Sequence, residues 1–268
     1  AISNPLAFPT VNTTYTVVAT DTNGCVNTDS VVVTINSLPT ASVSSDTTIC
    51  VGDTATLVAS GGTTYQWSPD STLSNAFIAA PSAFPTLSAT YQVIVSNANN
   101  CSDTTQVTVS VNPSPTIDAG LDQTICTGDT VQLGASGGLF YLWTPADSLS
   151  ATTTADPFAW PTDSTQYIVT GTDANGCSSS DTVNVFVNPL PAVDAGPASS
   201  ICLGDTAQLD ASGANSYNWS PSGSLSNAAI SNPLAFPTVN TTYTVVATDT
   251  NGCVNTDSTV VTINSLPT

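Results

Sequence analysis

Three short stretches decide the fold: CTGDT at residues 126–130, YLW at 141–143 and NGC at 175–177. Each has a near-copy 76 residues before it and another 76 residues after it. The residues that fall in register are Cys50 and Cys202, Trp67 and Trp219, and Cys101 and Cys253. Self-similarity at one fixed period of this size is the signature of a repeat protein. We therefore interpret the chain as a tandem array.

The period divides the chain into an incomplete repeat and three complete ones. The predicted segments are 1–38, the C-terminal half of a repeat, then 39–114, 115–190 and 191–268. Residues 229–268 also repeat residues 1–40 with one change, Val31 against Thr259, a shift of 228 residues or three repeats. Because the sequence opens inside a repeat and contains no Met, we expect it to be a piece of a longer chain.

The charge balance excludes several functions. Lys, Arg and His are absent, all 19 acidic residues are Asp, and the net charge is −19. A chain with this charge repels a phosphate backbone, so we expect no nucleic-acid partner. Without His there is no imidazole base, and without Lys there is neither a Schiff base nor a phosphate-loop lysine. We predict that the protein is not an enzyme and has no catalytic residues.

The Asp residues are interpreted first as turn formers and solubilising charges. Calcium is a hypothesis, based on Asp118 and Asp122 and on Asp21, Asp173 and Asp249 of the Asn-Gly turns. No EF-hand or nonapeptide pattern accompanies them, so no metal site and no cofactor are predicted. No apolar run is long enough to span a bilayer, and we expect no membrane insertion within this segment.

The hydrophobic pattern predicts strands. Residues 14–20 alternate as a strand, residues 21–24 form a turn with Asn-Gly, and residues 30–35 make a second strand. Alternation of β-branched residues around an Asn-Gly pair indicates a hairpin. Each repeat holds six or seven such short strands and no helical periodicity, which is typical of a Greek-key β-sandwich. The predicted fold is all-β, with tandem sandwiches arranged as beads in an extended rod or fibre.

The four tryptophans are predicted to lie in the core: Trp67, Trp143, Trp160 and Trp219. Trp160 stands where the other repeats have Phe8, Phe84 and Phe236, which suggests a buried aromatic slot near one end of the sandwich. The alternative is a row of exposed aromatics that stack on sugars. Exposure of Trp143 and Trp160 would favour that alternative.

The motifs resemble a known class of repeats. Residues 118–133, Tyr141 and Trp143, TQY at 165–167 and DANGC at 173–177 are similar to the PKD-like and Ig-like repeats of very large Bacteroidota surface proteins. Those proteins are typically exported by the type IX secretion system and include gliding-motility adhesins. The resemblance covers the whole chain. It implies a seven-strand sandwich, a cell-surface or extracellular location and a role in adhesion or as a stalk.

A second resemblance concerns Asp followed by Ser or Thr and then a small or aliphatic residue or Thr, which is similar to the O-glycosylation sequon of Bacteroidota. The candidate sites are Ser30, Thr47, Thr54, Ser71, Thr104, Thr130, Ser148, Ser164, Thr182, Thr206 and Ser258. Because Asp-Ser and Asp-Thr are also ordinary turn sequences, these positions are candidates only.

Cysteines occur at two phases of the repeat, which predicts disulfides and an oxidising, extracytoplasmic setting. The seven are Cys25, Cys50, Cys101, Cys126, Cys177, Cys202 and Cys253. Two connectivities fit the spacing. Pairing within a repeat would join Cys50 to Cys101, Cys126 to Cys177 and Cys202 to Cys253. Pairing between repeats would join Cys50 to Cys177 and Cys126 to Cys253. Free thiols remain a third possibility, and the spacing does not decide among them.

Together these features predict a structural segment of a very long extracellular fibre or adhesin stalk, with a mechanical or spacer role. The expected partners are neighbouring copies of the chain, other surface components, or glycans. Lateral self-assembly would require the repulsion among 19 Asp residues to be screened. The alternative function is a carbohydrate-binding repeat array of a secreted adhesin.

Overall fold

The computed structural model describes residues 4–265, and within this range all regular secondary structure is β. The three residues at each end, which belong to the predicted segments 1–38 and 191–268, lie outside the described range. The chain separates into two compact units, Ala1–Ser114 and Pro115–Thr268. The prediction of an all-β chain of tandem sandwiches is confirmed.

The first unit contains a lone hairpin and one sandwich. The hairpin consists of β1 (Thr13–Thr20) and β2 (Val26–Val33). The sandwich that follows, which we call the first repeat, contains β3 (Ser42–Val43), β4 (Thr47–Cys50), β5 (Ala55–Thr56), β6 (Ala59–Ser60), β7 (Thr64–Ser68), β8 (Ser82–Ala83), β9 (Ala89–Ser96) and β10 (Ser102–Asn112).

The second unit contains two sandwiches. The second repeat contains β11 (Gln123–Cys126), β12 (Val131–Gln132), β13 (Phe140–Thr144), β14 (Phe158–Ala159), β15 (Thr165–Thr172) and β16 (Ser178–Asn188). The third repeat contains β17 (Ser199–Cys202), β18 (Ala207–Gln208), β19 (Ser216–Ser220), β20 (Leu234–Ala235), β21 (Thr241–Thr248) and β22 (Val254–Asn264). The long strands of the three repeats recur at the 76-residue spacing of the sequence.

One layer of each sandwich is a four-stranded sheet with the orders β4-β10-β9-β7, β11-β16-β15-β13 and β17-β22-β21-β19. Its first strand lies parallel to its last, with Gln123 opposite Val185 and Cys126 opposite Asn188 in the second repeat. The other layer consists of short pairs such as β12 with β14. Because the last two strands form an antiparallel hairpin, the turn between them lies at one end of the sandwich.

The core lies between the layers and is separate in each repeat. In β15 the alternation of the strand turns Tyr167 and Val169 inward, and both are fully buried together with Trp143 of β13. Burying such a side chain contributes about 1.5–3 kcal/mol. The indole Nε1 of Trp143 donates to the Thr154 carbonyl at 2.9 Å, so its polar atom is also satisfied. Trp67 and Trp219 are buried in the same way.

The prediction that Trp160 lies in the core is wrong, since 44% of this residue is exposed. The reason is the two-residue period of strand β14. Pro157, Ala159 and Pro161 point inward, and therefore Phe158 and Trp160 point outward. The predicted aromatic slot is absent elsewhere too, because the equivalent residues Phe8, Phe84 and Phe236 are also exposed.

Candidate structural site: a disulfide between two repeats

The end of β11 positions Cys126. In the parallel pairing Cys126 lies opposite Asn188, the last residue of β16, and the Asn188 carbonyl accepts from Thr127 N–H at 2.9 Å. Asp129 N–H donates to the Cys126 carbonyl at 3.0 Å, while the Asp129 carboxylate accepts from Cys126 N–H at 3.2 Å. The GD pair after each first-strand cysteine therefore closes a tight turn that holds the cysteine at the end of the sheet.

The turn of the last hairpin positions Cys253. One carboxylate oxygen of Asp249 accepts from the N–H groups of Asn251 and Cys253, both at 2.8 Å. Asp249 N–H donates back to the Cys253 carbonyl at 3.0 Å. Gly252 has a φ of 84°, which a residue without a Cβ adopts at little cost. The Asp-x-Asn-Gly-Cys sequence is thus a turn that presents its cysteine.

The other hairpins have the same arrangement. Asp21 and Asp173 make the equivalent contacts to Cys25 and Cys177. In the turn that lacks Gly, Asn97 replaces Asp and Asn100 takes the positive φ of 59°. Donation from Cys25 N–H, then from Asn23 N–H, lowers the pKa of the Asp21 carboxyl. The carboxylates of Asp21, Asp173 and Asp249 therefore stabilise their own turns by accepting hydrogen bonds from backbone N–H groups.

Cys126 and Cys253 are joined by a disulfide with a Cα–Cα distance of 5.6 Å. The bond lies inside the second unit and connects the first strand of the second repeat to the last hairpin of the third. It closes a loop of 127 residues, which in the chain-entropy model stabilises by about 5 kcal/mol. For these two cysteines the structure has the between-repeat pairing and neither within-repeat alternative.

Three further cysteines, which the between-repeat connectivity also leaves without a partner in this chain, form no disulfide in this structure. Cys25, Cys101 and Cys202 are free thiols. A partner at the spacing of 127 residues would lie before residue 1 for Cys25 and Cys101 and beyond residue 268 for Cys202. Cys50 and Cys177, which are separated by the same spacing, are not among the free thiols.

The Asp residues of the calcium hypothesis are engaged in local hydrogen bonds. The Asp118 carboxylate accepts from Gly120 N–H at 2.9 Å, and Asp122 accepts from Asn184 N–H at 2.8 Å. Among residues 4–265 no three His, Cys, Asp or Glu side chains converge as they would around a metal ion. Calcium therefore remains a hypothesis for which the described residues form no site.

Most candidate glycosylation sites are exposed. Thr47 and Ser148 are half-buried, and the other nine are exposed: Ser30, Thr54, Ser71, Thr104, Thr130, Ser164, Thr182, Thr206 and Ser258. The Ser164 hydroxyl also accepts from Val187 N–H at 3.0 Å.

In the part of the chain that the structure describes, no helix is of the length and hydropathy required to span a bilayer.

Comparison with known proteins agrees with the fold. Residues 37–113 match the family described as Ig-like domain, CHU_C associated. No curated protein matches the sequence. The chain is therefore built of Ig-like β-sandwiches in tandem, one of which carries the CHU_C-associated pattern, a type found in Bacteroidota.

Three solved structures are among those with similar folds. The eight N-terminal Ig domains of Down Syndrome Cell Adhesion Molecule are 16% identical with a TM-score of 0.35; the match covers 94% of this chain and 38% of that one. The I9–I11 tandem of titin is 12% identical with a TM-score of 0.34, covering 85% and 100%. A Ca²⁺-stabilised adhesin of an Antarctic bacterium is 11% identical with a TM-score of 0.36, covering 95% and 82%.

Proposed function

We propose that this segment is a structural stalk of a very long extracellular surface protein, and that its task is to carry tension and set reach. The observation that supports this proposal is the disulfide from Cys126 to Cys253, which joins two successive repeats. A ligand-binding domain has no need for a covalent bond to its neighbour. A stalk under load does, because the bond prevents the two repeats from being pulled apart.

The strand order also suits a load. In the second repeat β11 lies near the N-terminal end of the sandwich and pairs in parallel with β16, the last strand. When the Cys126–Cys253 bond is reduced, tension along the chain pulls β11 and β16 in opposite directions along their common axis. The hydrogen bonds between the two strands are then sheared together instead of being opened one at a time. The first and third repeats have the same parallel pairing.

The disulfide limits how far the chain extends when a repeat fails. The 127 residues between the two cysteines correspond to roughly 440 Å of extended chain. While the bond is intact, unfolding within this loop does not lengthen the path that bears the load. The second and third repeats therefore gain little length even when their sandwiches open.

The location proposed for this stalk is the cell surface or the extracellular space, where disulfides persist. We further propose that the parent is a Bacteroidota protein exported by the type IX system and that some exposed Asp-Ser and Asp-Thr sites carry O-glycans. The partners would be neighbouring copies or other surface components. Nothing in this role requires a catalytic residue or a cofactor.

Single-molecule stretching tests the mechanical role. The oxidised chain should gain less contour length on complete unfolding than the reduced chain, by at least roughly 440 Å. Replacing the free Cys25 by Ser should leave this difference unchanged and is the matched control. Equal contour lengths in the oxidised and reduced chains would contradict the proposal.

A second candidate function is carbohydrate binding, and the exposed pair Phe158 and Trp160 favours it. The two aromatics project from the same side of β14, with exposed fractions of 48% and 44%. Exposed aromatic rings offer flat apolar faces to sugars. Binding of the chain to a glycan array, lost in Trp160→Ala, would support this function; the absence of any glycan binding would remove it. Trp143 does not contribute, because it is buried.

A further inference from the structure

We propose that Cys202 is the attachment point for a further repeat, whose last-hairpin cysteine forms with it the disulfide that Cys126 forms with Cys253. The partner is thus the C-terminal hairpin of another sandwich of this same kind. The inference deepens the proposed function and rests on it in one respect, since the bond needs an oxidising compartment.

Cys202 occupies the same backbone frame as Cys126. It ends strand β17, which lies parallel to β22, and it is opposite Asn264 as Cys126 is opposite Asn188. Leu203 N–H donates to the Asn264 carbonyl at 3.2 Å, and Asp205 N–H donates to the Cys202 carbonyl at 3.0 Å. The turn that holds the bonded Cys126 in the second repeat therefore has an equivalent in the third repeat, and that turn holds Cys202.

The two cysteines differ in what covers them. Cys126 is half-buried and bonded to the hairpin of the next repeat. Cys202 is exposed and free. The local backbone is the same in both, so the two cysteines differ in whether the hairpin of another repeat contacts them. The bonded Cys126 in the same chain shows what that hairpin does when present.

The partner surface is also represented in this chain. Cys101 ends a hairpin turn whose Asn97 side chain accepts from Cys101 N–H at 3.1 Å, as Asp249 accepts from Cys253 N–H at 2.8 Å. Cys101 is a free thiol. A complete repeat of this type carries both cysteines of the junction. One lies at the end of its first strand, and the other lies in its last hairpin.

The sequence specifies how a further repeat would be joined. Residues 229–268 repeat residues 1–40, so a second copy of residues 41–114 placed directly after Thr268 reproduces the connection that this chain has between residues 40 and 41. In that extended chain the copy of Cys101 follows Cys202 by the same 127 residues that separate Cys126 from Cys253. Both the repeat period and the spacing of the observed disulfide therefore predict that the copy of Cys101 is the partner of Cys202.

The bond forms by thiol–disulfide exchange with a small disulfide such as oxidised glutathione. The Cys202 thiol loses its proton, and the thiolate attacks one glutathione sulfur and releases one glutathione. The thiolate of the partner cysteine then attacks Sγ of Cys202, forms the Sγ–Sγ bond and releases the second glutathione. Two thiols are oxidised while one molecule of oxidised glutathione is reduced to two of glutathione.

The test compares the chain as it is with the extended chain in a glutathione redox buffer. After quenching in acid, free thiols are labelled with a maleimide, and cysteines are mapped by mass spectrometry after cleavage at Asp. The expected result is a Cys202 that is fully labelled in the original chain and unlabelled in the extended one, linked to the appended copy of Cys101. Placing Ser at that copied position should restore labelling of Cys202.

The Cys126–Cys253 bond is the internal control, since it should form in both chains. The experiment is repeated with residues 117–190 appended instead, so that one poorly folding copy does not decide the result. A Cys202 that stays labelled in both extended chains while Cys126 is protected would overturn the inference, as would indiscriminate pairing of Cys202 with Cys25 or glutathione. Such failure would leave the stretching result, and with it the proposed function, unaffected.

Discussion

Two hairpins of this molecule have nearly the same sequence and very different surroundings. Residues 13–33 and 241–261 differ only at Val31 and Thr259, and both pair in the same register. In the first hairpin Tyr15 is 39% exposed and Val17 is 62% exposed. Their counterparts in the second, Tyr243 and Val245, are fully buried.

Some properties of the hairpin are the same in both copies, and others depend on packing against a second layer. The Asp turn and the cross-strand ladder are present in both copies, so they depend on local sequence. Burial is present only in the copy that packs against Trp219 and Leu209 of its own repeat. Each fully buried valine contributes about 1.5–3 kcal/mol, and this contribution belongs to the pairing of the two layers.

The largest effect is expected from removing the side chain that covers the buried hairpin. Trp219→Ala should destabilise the third repeat by about 3–5 kcal/mol, because a large cavity replaces a buried indole. Amides of residues 241–261 should then exchange hydrogen faster, approaching the behaviour of residues 13–33. Urea unfolding and hydrogen exchange measure this. Trp160→Ala is the matched control and should cost far less, since Trp160 is exposed; equal losses would contradict this account.

The next effect concerns the disulfide that the buried hairpin makes through Cys253. Cys126→Ser removes the bond to Cys253 and should lower the stability of the second unit by up to about 5 kcal/mol, through the larger conformational entropy of the unfolded chain. Cys25→Ser changes the free thiol of the exposed hairpin and should have no effect. Thermal melts of both variants under non-reducing conditions provide the comparison. A Cys126→Ser melt identical to that of the parent would refute the stabilising role of the bond.

A smaller effect is expected at the one position where the hairpins differ. Thr259 is buried, and its hydroxyl has no hydrogen-bond partner among the described residues. The first and second repeats have Val107 and Val183 at this position. Thr259→Val should therefore stabilise the third repeat by about 1 kcal/mol, because it removes an unsatisfied buried group.

The reciprocal substitution Val31→Thr in the exposed hairpin is the control for this change. It should alter stability by no more than about 0.5 kcal/mol, as surface substitutions usually do. Calorimetry of the two variants side by side tests the pair. Destabilisation by Thr259→Val would show that the hydroxyl has a partner, such as an ordered water.

The smallest effect is on pH dependence. The backbone N–H of Ala195, then that of Ser258, donates to the Asp257 carboxylate and lowers its pKa. A carboxyl whose pKa is lower in the folded state contributes stability that is present above the unfolded value of 3.8 and is lost as the pH falls through the folded value. Melting temperatures from pH 6 to pH 2.5 should fall less steeply for Asp257→Asn than for the parent.

The control for the pH effect is Asp29→Asn. Asp29 is the counterpart of Asp257 in the exposed hairpin, and its carboxylate accepts only from Ser30 N–H among the described hydrogen bonds. This variant should reproduce the pH profile of the parent. A profile flattened equally by both substitutions would mean that general charge, and not the Ala195 contact, sets the pH dependence.

Much of the fold was predictable because its signals are local. The Asn-Gly turn at residues 21–24 and the strand at residues 14–20 each depend on residues near one another in sequence, and both appear in the structure as expected. Residue type alone predicts a buried Trp160, whereas the phase of the strand turns this side chain outward. Two residues of β14 are too few to reveal by pattern which side faces inward.

Local sequence is enough to predict that the chain is a series of β-sandwiches, where most strands and turns lie, and that cysteines recur at two positions of the repeat. These properties follow from side-chain periodicity and turn chemistry, which act over a few residues. The bond from Cys126 to Cys253 and the exposure of Trp160 became clear only from the folded structure. Those outcomes depend on which surfaces, distant in sequence, come into contact, and the same local sequence permits more than one answer.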